Sequence, residues 1–176
     1  MRYSLLVVLV WGFALSSARA QADDAPAPDV AQAIQDLQSS EPAARISAAD
    51  RLADVRGKAK PAVPALTKAL DSPDEQLRWH AERALGSIGA AAGSATDALV
   101  GRLGDSSAMV RAYAAFALGR IRPKISAVLP ALVKAIEDPD AAVRRMAARS
   151  IVALRPPAAD ILPVMADVLK NSEPGV

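Results

Sequence analysis

A twelve-residue pattern recurs four times along this chain at a constant interval, and no other feature restricts its fold so tightly. The copies read "ARISAADRLADV", "LRWHAERALGSI", "VRAYAAFALGRI" and "VRRMAARSIVAL", and their arginines, Arg45, Arg78, Arg111 and Arg144, stand 33 residues apart. Three positions after each arginine comes alanine (Ala48, Ala81, Ala114, Ala147). Seven after come Leu52, Leu85, Leu118 and Ile151, and ten after come Val55, Ile88, Ile121 and Leu154. These offsets share one face of a helix with 3.6 residues per turn. A break follows each copy ("GKAKPAV", "GAAAGSA", "RPKISAV", "RPPAADI"), and then a second apolar pattern. That pattern places Leu66, Leu99, Leu132 and Met165 in one column and Leu70, Leu103, Ile136 and Leu169 in another. One helical hairpin cannot bury such a stripe alone, so successive hairpins must stack. The expected fold is all-α: an α-solenoid of about four helical hairpins. "PDVAQAIQDLQ" carries the second-helix pattern through Val30, Ile34 and Leu37 and is expected to close the N-terminal end as a half-repeat. The inter-repeat turns "DSPDEQ", "GDSSAM" and "EDPDAA" offer Asp, Ser and Pro, which suit helix ends and N-caps.

The first twenty residues stand outside this pattern. "MRYSLLVVLVWGFALSSARA" joins a positive Arg2, an apolar run from Leu5 to Leu15 and a small-x-small site at Ala18-Arg19-Ala20, the pattern of a cleaved secretory signal. The run is short for a membrane helix, which needs roughly 20 apolar residues. The division expected is a signal peptide at 1–20, a disordered, proline-rich lead-in at 21–28, a repeat domain at 29–170 and a C-terminal tail at 171–176. The mature protein is expected to be exported, to the periplasm or beyond the cell, without membrane insertion. Loss of the leader removes Arg2 and Arg19 and no acid, so 21 basic and 19 acidic residues become 19 of each. A neutral chain provides no net field to attract nucleic acid or an anionic membrane. The absence of cysteine excludes disulfides and thiolate metal sites.

"RWHAER", residues 78–83, holds the only histidine and one of the two tryptophans. His80 and Glu82 diverge by about 200° on a helix and cannot share a ligand. No second histidine exists to complete a two-His metal set. His80 therefore reads as a helix-flank residue packing against the next repeat. No nucleophile elbow, phosphate loop or other catalytic constellation is present, so the chain reads as a non-enzyme without a cofactor.

The repeated motif, clearest in "LGDSSAMVRAYAAFALGRI", resembles the HEAT-like repeats of the phycobilisome-lyase type over roughly residues 30–170. The end units depart from it: "ADRLADV" lacks the "ALG", and Val152 replaces the glycine. The resemblance implies a right-handed superhelix that serves as a surface for other proteins. It also implies that Arg45, Arg78, Arg111 and Arg144 form a structural ladder with Asp71, Asp105 and Asp138 from the preceding turns. The alternative is an anion-binding row of arginines. The His-Glu pairs with which some HEAT-repeat proteins hold iron are absent, since His80 is followed by Ala81.

Two surfaces are candidates for a partner. Trp79, at offset +1, points some 150° from the core face, and Phe116 and Ile46 share that outward side. They form either an exposed patch or the filling of the seam between units. At the C-terminal end, Ile161, Val164 and Val168 replace the small residues of earlier second helices, which suggests docking onto a partner or a second copy. Lys68, Arg102 and Lys134 on the second helices would suit an acidic partner, though Asp97 and Asp167 are interspersed. The function expected is an exported, non-enzymatic scaffold for protein–protein interaction. The alternative is a lyase- or chaperone-like protein that handles a cofactor-bearing partner.

Overall fold

In a computed structural model that describes residues 28–163, four helices of 14 residues each begin at a constant spacing of 33. They are α2 (Pro42–Val55), α4 (Glu75–Ile88), α6 (Ala108–Ile121) and α8 (Ala141–Leu154). Each is followed by a shorter element: α3 (Val63–Ala69), α5 (Thr96–Arg102), α7 (Ile125–Ala135), and a helical stretch at 158–163. The half-repeat α1 (Pro28–Asp36) precedes α2, with Val30 and Leu37 buried and Ile34 half-buried against the core. No strand occurs among the described residues. The long helices stack in sequence order, α2 on α4, α4 on α6 and α6 on α8, which makes the protein an α-solenoid.

Caps set the helix starts. Asp74 accepts from the backbone N–H of Gln76, Ser107 from Val110, and Asp140 from Ala142 and Val143. Glu41, in the same register, makes no side-chain cap, and Pro42 opens that helix instead. Hairpin turns come in two kinds. The first two units use 3-10 segments, Arg56–Ala62 and Gly89–Ala95. In the last two the helix ends on a left-handed arginine, Arg122 or Arg155, followed by proline. The core is the set of columns read from the repeat: Ala48, Ala81, Ala114 and Ala147 are fully buried, as are Leu52, Leu85, Leu118, Leu66, Leu99 and Leu132.

The arginine ladder is structural, with a different set of partners from that expected. Residues 39, 72, 105 and 138 occupy one register as Ser39, Ser72, Asp105 and Asp138, so Ser72 and not Asp71 holds the second rung. Each side chain accepts the N–H two residues on, at 2.8–3.2 Å. From the preceding turn each arginine takes only backbone: Arg78 Nη1 donates to the carbonyls of Ser72 and Pro73, and Arg45, Arg111 and Arg144 repeat the arrangement. The carboxylates come from the following turn, with Arg78 on Asp105 at 3.0 Å and Arg111 in a two-pronged contact with Asp138 at 2.7 and 2.9 Å. Asp71 lies outside the ladder, 3.6 Å from Arg102. Arg78 and Arg111 are thus paired with carboxylates within the protein, while Arg45 and Arg144 donate through Nη1 to backbone carbonyls. Burial works against the Asp105 carboxylate, yet the Ser107 N–H and Arg78 hold it below its ordinary range. Asp138 is likewise lowered, chiefly by Arg111.

Glycine at offset +8 lets neighbouring long helices approach. A Cβ on Gly119 would lie 2.5 Å from Ser150 Oγ and 2.9 Å from Ser150 Cα, and one on Gly86 would lie 2.8 Å from the Phe116 ring. Ser150 is buried opposite Gly119 and donates its hydroxyl to the Ala115 carbonyl at 2.7 Å, so it cannot move aside freely. Gly119→Ala is therefore expected to destabilise by about 1–3 kcal/mol, although alanine is the better helix former. Gly101→Ala, with open space around its Cβ, is expected to stabilise by up to about 1 kcal/mol. Urea denaturation of both variants checks the opposite signs. In the last unit the same position is Val152, 75% exposed among the described residues, where no further long helix packs.

Candidate functional site

The outward face of the long helices carries a strip of rings that crosses repeats. Trp79 stacks on His80 (centroids 3.5 Å apart) and on Tyr113 of the next unit (5.0 Å), and Tyr113 meets Phe116 edge-on at 6.1 Å. Trp79 and Phe116 are half-buried and fill the seam between α4 and α6, with Tyr113 as the link. Ile46 is half-buried against the core one unit earlier. His80 packs backward, not forward as its register implied: Nδ1 contacts the Asp50 carboxylate of the preceding repeat. Arg83 reaches the same carboxylate at 3.3 Å and Asp54 at 4.0 Å. The first half of this face is thus an internally neutralised network. Among the described residues no group of three or more His, Asp or Glu is arranged to hold a metal ion.

The same helix, α4, carries Glu82, a feature that the repeat pattern alone did not single out. It is fully buried, and neither carboxyl oxygen has a hydrogen-bond partner among the described residues. Burial pushes its acid up to about 9; the Asp105 charge adds to the rise, and Arg102 and Arg78 oppose it. An acid raised this far keeps its proton at neutral pH. The signal was present in the register, because offset +4 is alanine in the other three units (Ala49, Ala115, Ala148).

The second-helix face has grooves where successive units meet. One, about 420 Å³, lies between the end of α1 and α3 and is lined by Leu37, Gln38, Ala65, Lys68, Ala69 and Leu77. Another, about 510 Å³, is bordered by Leu103, Gly104, Ala131, Lys134 and Ala135, with Glu137 and Asp138 also in its lining. The two are the same site 66 residues apart: Leu37 corresponds to Leu103, Ala65 to Ala131, Lys68 to Lys134 and Ala69 to Ala135. At the intervening seam the last position is Arg102. Its guanidinium reaches back to the Leu70 carbonyl at 3.3 Å and lies 3.6 Å from both Asp71 and Asp105. One long side chain bridges that seam and leaves a lysine-lipped groove on either side. Of the C-terminal candidates, Ile161 is half-buried against the core. Val164 and Val168 lie outside the described residues, as do the column members Met165 and Leu169 and the leader at 1–20.

These features agree with what the chain is similar to. Residues 27–108 and 96–176 match the family described as HEAT repeats. No curated protein matches the chain in sequence. Among solved structures, an engineered protein superposes with a TM-score of 0.68 at 25% identity over 80% of this chain and 68% of its own. A designed armadillo repeat protein, solved in complex with the peptide (KR)4, superposes at 0.60 with 19% identity, covering 81% of this chain and 74% of its own. The complex of CpcE and CpcF of phycocyanin lyase from Nostoc sp. PCC7120 superposes at 0.50 with 23% identity, covering 85% of this chain and 73% of the other. With the family matched from residue 27 to residue 176 and the stacked hairpins in place, this chain belongs to the HEAT-repeat family.

Proposed function

We propose that this protein is an exported, non-enzymatic scaffold whose second-helix face holds an extended segment of a partner protein. The observation that carries the reading is the pair of grooves at Lys68 and Lys134, equivalent in register and set on either side of the Arg102 bridge. An extended chain is the ligand shape that meets equivalent sites repeated along a solenoid, and each groove accepts one apolar side chain beside a lysine. Lys68 lines its groove with no acid in that lining among the described residues and favours an acidic residue in the segment, while Lys134 stands near Glu137 and Asp138. Export rests on the leader pattern at residues 1–20.

Photo-crosslinking amino acids placed at Ala65 and Ala131, one in each groove, test the reading in the native organism. Both positions are expected to capture the same envelope polypeptide, and Lys68→Glu with Lys134→Glu is expected to abolish both adducts. Different polypeptides at the two positions, or adducts indifferent to charge reversal, contradict it. The exported protein is expected to begin near Gln21, read by mass spectrometry of its N-terminal peptide. The competing lyase- or chaperone-like role draws on the CpcE–CpcF likeness, which at 23% identity conveys the fold. Titration with a bilin or haem separates the two, since a scaffold leaves the chromophore spectrum unchanged.

A further inference from the structure

The outward face of the long helices contains an opening, in the seam between α6 and α8. Its origin is a substitution within the repeat. One unit earlier, the space left by Gly86 is occupied from the next helix by the ring of Phe116, whose Cε1 lies 2.8 Å from where a Cβ on Gly86 would stand. The residues that correspond to Gly86 and Phe116 in the following seam are Gly119 and Arg149. Arg149 is exposed, so no ring packs there; the space next to Gly119 is taken by Ser150, whose Oγ lies 2.5 Å from where a Cβ would stand, and the opening lies beside that contact. A cleft of about 180 Å³ remains there, with Phe116, Met146 and Ala153 as apolar walls, Gly119 beside them, and Arg120 and Arg149 among the lining residues. Ser150 also lines it, but its hydroxyl is committed to the Ala115 carbonyl.

Charge on this half of the face differs from that on the first half. On α2 and α4, Asp50 and Asp54 contact His80 and Arg83 of the adjacent unit. The sequences of α6 and α8 contain five arginines and no acid. Arg111 is held by Asp138, and Arg144 by two carbonyls. Arg120 and Arg149 have no carboxylate within 4.0 Å among the described residues. An aromatic-sized hollow flanked by two such cations lacks two things that one ligand can supply together.

We infer that this cleft receives an acidic segment of a partner protein, with a phenylalanine-like side chain in the hollow and flanking carboxylates on Arg120 and Arg149. The packing of Phe116 on Gly86 is the intramolecular precedent for the apolar contact, and guanidinium–carboxylate pairing supplies the polar one. The inference concerns the opposite set of helices from the scaffold reading above and stands independently of it.

The test uses the full chain and a fluorescein-labelled peptide, Glu-Asp-Phe-Asp-Glu, followed by fluorescence anisotropy at two salt concentrations. Saturable binding is expected, weaker at high salt. It should fall at least about tenfold when the peptide phenylalanine becomes serine, and by a similar factor in the Arg120→Glu, Arg149→Glu variant, both of whose sites are exposed. Met146→Trp, which fills the hollow without changing charge, should also weaken binding, while Lys68→Glu and Lys134→Glu should leave it intact. Circular dichroism melts confirm that each variant is folded. Equal binding of the phenylalanine and serine peptides overturns the inference, because charge alone then explains it. So do unchanged binding in the double-arginine variant, loss only in the lysine variants, or equally tight, arginine-dependent binding of duplex DNA or phosphatidylglycerol vesicles.

Discussion

Replacing Glu82 with methionine is expected to raise the stability of this protein at pH 7 by about 3 kcal/mol and to flatten the alkaline limb of its pH–stability curve. In the folded chain the acid titrates at about 9, against an ordinary value of 4.5. Below pH 4.5 both folded and unfolded chains hold the proton, and the group has no linked effect. Between pH 4.5 and 9 the unfolded chain releases a proton that the folded chain retains, so stability falls as pH rises. Above pH 9 both forms are ionised and the loss levels off. Two and a half pH units at about 1.4 kcal/mol each give the figure at pH 7. Methionine has similar length, needs no hydrogen bond and carries no proton, so it removes both the linkage and the unpartnered oxygens. Asp105 and Asp138 act in the opposite direction. Their acids are held below 3.8, so the stability they contribute is present above that value and lost as pH falls through their folded values. The wild-type chain should therefore be most stable on the acid side of neutrality. Urea midpoints at pH 5, 7 and 9 measure this directly; parallel pH profiles for the wild type and Glu82→Met would show that Glu82 is ionised and solvated in the folded protein.

Leu118→Ala is expected to cost about 3–5 kcal/mol, and Ile151→Ala, at the equivalent position, about 2–3 kcal/mol. Leu118 is fully buried on α6, between the helices of the units before and after it. Ile151, 8% exposed, lies on α8, which has the α6 packing on one side and no further long helix among the described residues on the other. An interior truncation leaves a cavity whose walls are tied to two interfaces and cannot collapse onto it. Near the end of the array, the walls are freer to relax. Because stability in a solenoid is a sum over neighbours, Leu85→Ala should resemble Leu118→Ala. Denaturant unfolding of the three variants checks the order, and equal losses at 118 and 151 would place the end of the array beyond α8.

Several parts of the fold were readable before any coordinates. The 33-residue spacing set the starts of the four long helices, the Asp, Ser and Pro signals set their caps, and the columns at offsets 3 and 7 became the core. These are local properties, dictated by the turn of the helix and by which side of it is apolar. The ladder partners were less legible. Each arginine takes backbone carbonyls from the turn before it, and Arg78 and Arg111 take their carboxylates from the turn after, a pairing set by how neighbouring units stack. The aromatic reading narrowed in a similar way. The register places Trp79 and Phe116 outward, but Tyr113, which joins them, shares offset +2 with Ser47, His80 and Met146 and carries no repeat signal.

What the sequence by itself determined is the kind of object this is: a row of like-built helical hairpins, because a repeated apolar stripe has no stable alternative to stacking on its neighbours. Which seams are closed and which are open was decided only in three dimensions. The ring of Phe116 covers Gly86, whereas at Gly119 Ser150 fills the contact and the exposed Arg149 leaves a cleft beside it; Arg102 bridges its seam, and the equivalent Ala69 and Ala135 leave theirs open. The same is true of Glu82, an unremarkable acid in the sequence whose protonation follows from enclosure by residues of other elements. The reason is common to all three cases. A helix face is a property of consecutive residues, whereas the filling of a seam depends on the sizes and charges of side chains that meet from different repeats.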